Sequence, residues 1–108
     1  MTENLAQTIL DDGLLLAKKF DAADGIISAG ELDYRDFSSP IVRKMIYLQL
    51  EFSKKEIDSK YDRKKVDDFR GLAKHFLTQL KDCSLTEVGA KQAGKQLDSI
   101  FPRLKVPK

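Results

Sequence analysis

Between Asp62 and Asp82 the apolar residues Val66, Phe69, Ala73, Phe76, Leu77 and Leu80 recur three and four positions apart. That spacing lines one stripe of a helix and no face of a strand, so it predicts a helix over this whole span. The stripe must be buried against other elements, and the rest of the chain supplies them with the same period. In a first segment Leu5, Ile9, Leu10, Leu16 and Phe20 fall near helical spacing. It should stop near Asp24 and Gly25, where glycine readily supplies the left-handed backbone that ends a helix. Asp11, Asp12 and Gly13 weaken its middle and are expected to bend or divide it.

Three further starts are marked. Ser28, Ala29, Gly30, Glu31 forms a capping box, in which hydroxyl and carboxylate each satisfy an orphan backbone donor, and predicts a short helix through about Phe37. Ser39 and Pro40 predict another start, because proline fits the first helical position. From there Ile41, Met45, Leu48 and Phe52 fall on one side, widened by Val42, Ile46, Leu50 and Ile57. So broad a face predicts a central helix covered by more than one neighbour. Ser84, Leu85, Thr86, Glu87 is a second capping box, opening a last helix with Val88, Ala93, Leu97, Ile100 and Phe101 that Pro102 ends. Within it, Gly89 with Ala93 and Ala90 with Gly94 form small-residue pairs one turn apart; with the low helix propensity of glycine, they imply either close packing against a neighbouring helix or a marginal, mobile terminal helix.

Nothing alternates with period two over a useful length, so the expected class is all-α, a compact bundle of four or five helices. Residues 1–102 are assigned to one helical domain and Arg103 to Lys108 to a basic C-terminal tail. With 108 residues and 42% hydrophobic content, a modest core can form without disulfides. The longest wholly apolar run, Leu14 to Ala17, is far short of the roughly 20 residues that span a bilayer. No membrane partner is expected. The absence of a secretory pattern in MTENLAQTIL and the single cysteine, Cys83, point to the cytoplasm.

The charge is divided by position. Residues 1–40 hold three basic side chains against eight acidic ones, net −5, while residues 41–108 hold sixteen against nine, net +7. The total of +2 hides a dipole, whose basic pole attracts phosphate and whose acidic pole attracts another subunit or another copy. On a helix from Asp62 to Asp82, Arg63, Arg70, Lys74 and Lys81 fall within about 40° of one another, in a row of about 27 Å opposite the apolar stripe. Asp67 interrupts the row and is positioned to pair with Arg63 or Lys74. The preceding helix adds Arg43, Lys44, Lys54 and Lys55 beside Tyr47, whose ring suits a base or an arginine plane. These eight cations are the candidate nucleic-acid-binding residues, against the ordinary alternative of a solvated polar face.

Catalytic patterns are missing. There is no P-loop, dinucleotide glycine fingerprint, HExxH or paired CxxC. His75 and Cys83 point about 80° apart on a continuous helix and do not make a nucleophile and base pair, so they are assigned as a polar-face histidine and a partly buried thiol. Asp11/Asp12 and Asp67/Asp68 are sequence neighbours and diverge on helices. No enzymatic reaction is assigned. If Glu31 is set as the last ligand of an EF-hand loop, the first and third ligand positions fall on Phe20 and Ala22, so no calcium site and no cofactor are expected.

Three resemblances bear on function. The Ala23, Asp24, Gly25 run followed by Ser28 and Glu31 resembles the DG-containing turn of tellurite-resistance TerB-like domains, although a helix stop and capping box account for the same string. Glu56 to Arg63 resembles a stretch of cyanobacterial fluorescence recovery proteins, but Lys44 and Leu48 stand where that family carries a Trp and an Asp. The size, the helical pattern, the acidic first third and the row Arg63, Arg70, Lys74 and Lys81 resemble the small helical subunit of multi-subunit CRISPR effector complexes. That resemblance implies copies lined along guide and target strands, contacting single-stranded nucleic acid, RNA or DNA, without cutting it. The expected function is electrostatic backbone binding inside a larger protein assembly. The alternatives are a protein-binding adaptor or inhibitor using the acidic first third, and a TerB-like module using Asp21, Asp24 and Glu31.

Overall fold

The computed structural model describes residues 5–22, 32–52 and 61–102. Among the described residues there are four α-helices, α1 (Leu5–Ala22), α2 (Pro40–Glu51), α3 (Arg63–Lys81) and α4 (Glu87–Ile100), and one 3-10 turn at Tyr34–Asp36. No strand occurs among the described residues. The α3 stripe behaves as its period requires, with Val66, Phe69, Ala73, Phe76 and Leu80 all buried. α3 is the hub of the bundle, packing against α1, α2 and α4. α2 lies between the 3-10 segment and α3, and its Val42, Met45, Ile46 and Leu48 are wholly buried. At one end of the bundle, Phe52 after α2, Phe69 of α3 and Phe101 after α4 meet with ring centroids 5.1 to 6.4 Å apart. Tyr61 closes over Phe52 edge-on at 5.1 Å.

The polar interruption does not divide α1, which runs unbroken from Leu5 to Ala22, and its two weak residues are used in tertiary contacts. Asp12 is buried and accepts hydrogen bonds from the backbone N–H of Ser38 at 2.9 Å and of Ser39 at 2.8 Å, anchoring the chain where it enters α2. Gly13 lies against the backbone of α3, where a methyl group would overlap the Leu80 carbonyl oxygen. The loss of helix propensity at these residues is thus offset by a close α1–α3 approach and a charged anchor.

Helix ends follow the sequence in outline and differ in detail. Ser39 is the N-cap of α2 with Pro40 behind it, but its hydroxyl caps nothing and is buried without a partner. Asp62 caps α3 by accepting from Lys64 N–H. The expected box at Ser84 is displaced: Thr86 is the cap of α4, accepting from Gly89 N–H at 3.0 Å, and Glu87 is already helical. Ser84 instead ends α3, its N–H donating to Gln79 O at 2.9 Å while Cys83, at φ 58°, donates to Leu80 O. This is a Schellman ending with cysteine in the left-handed position that glycine usually fills. On α4 Val88 is 66% exposed and Ala90 takes the core place expected for it. The helix expected from Ser28 to Phe37 shows only the 3-10 turn within the described residues, and Ser28 to Glu31 lie outside them.

Candidate nucleic-acid interface

The basic surface is built on α3 from its first turn. Arg63, Lys64 and Lys65 follow the Asp62 cap and are exposed. Cations there add to the positive end of the helix dipole, an arrangement that costs a few tenths to about 1 kcal/mol per charge and raises the local attraction for anions. Lys64 and Lys65 were not singled out from the sequence. The signal that marks them is the consecutive Arg63, Lys64, Lys65 run immediately after a capping aspartate, which fixes the run at a helix N-terminus.

Beyond that turn, the row does not lie opposite the apolar stripe. At 100° per residue it sits about 90° from the stripe centre, along the edge of the core. Two of its members, Arg70 and Lys81, are accordingly drawn into the seam. The Arg70 guanidinium donates to the Phe52 carbonyl at 3.0 Å, stabilising the C-terminal end of α2, and pairs weakly with Asp67 at 3.8 Å. Asp67 therefore engages Arg70, not Arg63 or Lys74. The Lys81 ammonium stands 5.1 Å from the centre of the Phe20 ring. Arg63 and Lys74 are exposed and make no ion pair or hydrogen bond among the described residues.

The α2 cations are more committed to the fold than the row is. Arg43 donates to the carbonyls of Phe37 and Arg35, clamping the 3-10 turn to α2. Lys44 is held by Asp98 of α4 at 2.7 Å, with its side chain only 21% exposed. Tyr47 is half-buried, edge-on to Tyr34 at 5.2 Å. Lys54 and Lys55 lie outside the described residues.

Much of the acidic first third is also used internally. Asp12 is buried, Asp36 pairs with Lys19 at 3.2 Å, and Asp33 pairs with Arg35 at 3.1 Å. Hydrogen bonds from the Arg35 side chain and then its backbone N–H hold the Asp33 carboxyl below its ordinary pKa, and the same contact raises that of Arg35. Asp11 and Asp21 are exposed, whereas Glu3, Asp24 and Glu31 fall outside the described residues.

A cavity of about 250 Å³ opens beside the row, between α1, α2 and α3. Leu16, Phe20, Leu32 and Leu77 form its apolar walls, and Lys74 and Lys81 stand on it with Gln49 and Thr78. His75 is exposed on α3, and Cys83 is an exposed thiol in the helix cap, not the partly buried one expected. No group of three His, Cys, Asp or Glu side chains among the described residues is arranged to hold a metal ion. None of the described helices is long and apolar enough to cross a membrane. No protein-family model matches this chain, and no curated protein or solved structure is detectably similar to it.

Proposed function

We propose that this protein is a non-enzymatic helical subunit that binds the backbone of single-stranded nucleic acid electrostatically. The observation that carries the reading is the row Arg63, Arg70, Lys74 and Lys81 on one face of α3, in which Arg63 and Lys74 are exposed and unneutralised among the described residues. A single file of cations serves one phosphate backbone and reads little sequence, because backbone contacts position a strand without specifying its bases. The setting that the layout suggests is a multi-subunit assembly in the cytoplasm of the kind formed by CRISPR effectors, with other subunits or further copies as protein partners.

The test is titration of a short single-stranded oligonucleotide at several salt concentrations. Four phosphate contacts give log affinity against log salt a slope of roughly −3, from about −0.7 per contact. Affinity independent of salt removes the electrostatic mechanism. A second reading, a protein-binding adaptor, is favoured by Leu10 and Leu14, 44% and 55% exposed one turn apart on α1. Retention of a partner protein in the absence of any nucleic acid, together with loss of that partner on Leu10→Ser plus Leu14→Ser, would select it.

A further inference from the structure

We propose that the cavity between α1, α2 and α3 seats one base of the bound strand, with the adjoining phosphate held by Lys74 and Lys81. The inference rests on the nucleic-acid reading and assigns it a second contact, to a ring in place of a backbone. Three observations converge on one ligand chemistry. The walls are apolar and include an aromatic ring, Phe20, so they suit a flat ring that is poorly served by water. The two cations stand at the same cavity, two helical turns apart on one face of α3, so the ring must belong to an anion. Gln49 and Thr78 add an amide and a hydroxyl to the lining, able to donate to and accept from the edge of a base.

Size limits the occupant. About 250 Å³ falls below the roughly 300–1,000 Å³ of pockets for drug-sized molecules, so it admits one ring or two fused rings and not a folded peptide segment. Lys81 is already placed for the task. Its ammonium lies against the Phe20 ring face, where the ring quadrupole holds it without neutralising its charge, leaving that charge available to a phosphate. The seat is continuous with the proposed backbone track, because Lys74 belongs to both. A strand following the row passes the mouth of the cavity and can turn one base inward.

The experiment uses the full chain, with methyl and aromatic NMR signals of Leu16, Leu77 and Phe20 followed during titration with a nucleoside 5′-monophosphate, ribose 5-phosphate and N-acetylphenylalanine. The nucleotide is expected to shift all three residues and to bind about tenfold more tightly than ribose 5-phosphate, the scale of one base stacked on an aromatic ring. Lys74→Gln should weaken the nucleotide several-fold while leaving the unliganded spectrum of the cavity intact, since Lys74 makes no bond among the described residues. Equal affinity for ribose 5-phosphate, or tighter binding of N-acetylphenylalanine, overturns the base seat, the latter in favour of a peptide carboxylate. An oligonucleotide that binds with the expected salt slope but leaves Leu16, Leu77 and Phe20 unmoved overturns the seat and leaves the backbone reading standing. A nucleotide seated in the cavity of a chain that binds no strand sustains the seat and overturns the strand reading.

Discussion

The carboxylate of Asp12, in the middle of α1, accepts the backbone N–H of Ser39 at 2.8 Å across 27 positions of sequence, and the Ser39 hydroxyl beside it has no partner. The two residues have exchanged the roles that their types suggest. Serine before Pro40 looks like a side-chain cap, yet the polar atom that organises the entry to α2 comes from another helix. Asp12→Ala removes two charge-assisted hydrogen bonds and leaves two backbone donors unsatisfied, so it should cost about 2–4 kcal/mol in urea unfolding. Ser39→Ala, which would cost about 1 kcal/mol at a working cap, should instead be neutral or slightly stabilising, because it deletes a buried unpaired hydroxyl. A loss at Ser39 as large as that at Asp12 would contradict this assignment.

Two glycines on helices give opposite expectations for the same substitution. Alanine in place of glycine gains about 1 kcal/mol of helix propensity. At Gly94 the added methyl would lie 3.5 Å from Ile41 Cδ1, an ordinary contact, so Gly94→Ala should raise the melting temperature by a few degrees. At Gly13 it would meet the Leu80 backbone carbonyl, which cannot rotate away, and α1 would have to lift from α3. Gly13→Ala should therefore lose about 1–3 kcal/mol net despite its better propensity. Thermal melts of the two variants, read side by side, check the sign of each.

What the sequence disclosed was period. The α3 stripe, the apolar face of α2 as far as Phe52, the Ser39–Pro40 start and the Asp62 and Asp82 limits are all local signals, and the structure has them where the spacing puts them, while Ile57 of that face lies outside the described residues. What it did not disclose was any role that depends on a second element. Asp12 and Gly13 look like defects when only α1 is considered, and become its anchor and its point of closest approach once α2 and α3 are present. Thr86 displaces Ser84 as the cap of α4 because Ser84 is already engaged in closing α3. The candidate site follows the same rule. The row on α3 and its place about 90° from the apolar stripe both follow from 100° spacing, but the use of Arg43, Lys44 and Arg70 in the fold depends on carbonyls and a carboxylate supplied from elsewhere in the chain.

Asp33 carries the clearest electrostatic signature among the described residues. Its carboxyl is depressed below the unfolded value of 3.8 by hydrogen bonds from Arg35. A depressed acid stabilises the fold above its unfolded pKa, and that contribution is lost as pH falls through the lower folded value. The pH dependence is therefore confined to acid solution, and the contribution is fully present near neutrality. Titration of the Asp33 side-chain carboxyl by NMR should give a midpoint below 3.8, and Arg35→Ala should return it to the ordinary range. A midpoint unaffected by the loss of Arg35 would show that this pair does not persist in solution.

Charge reversal tests the α3 row most cleanly at residues that the fold does not need. Arg70 is a poor choice, because its guanidinium supports the Phe52 carbonyl at the end of α2, and Arg70→Glu would mix lost binding with lost stability. Arg63 and Lys74 have no such duty among the described residues. The double variant Arg63→Glu plus Lys74→Glu should keep its helical circular dichroism and melting temperature while weakening oligonucleotide binding by tenfold or more, since each reversal removes one phosphate contact and adds one repulsion. It should also flatten the salt dependence by about 1.4, from roughly 0.7 for each lost contact. Lys91→Glu plus Lys95→Glu on α4 changes the net charge by the same amount on a different helix, with Lys91 already paired to Glu87 at 3.4 Å. If binding responded only to total charge, the two double variants would weaken it equally. A loss confined to the Arg63 and Lys74 variant assigns the contact to the α3 row, and an equal loss from both would reduce that row to one part of a diffuse field.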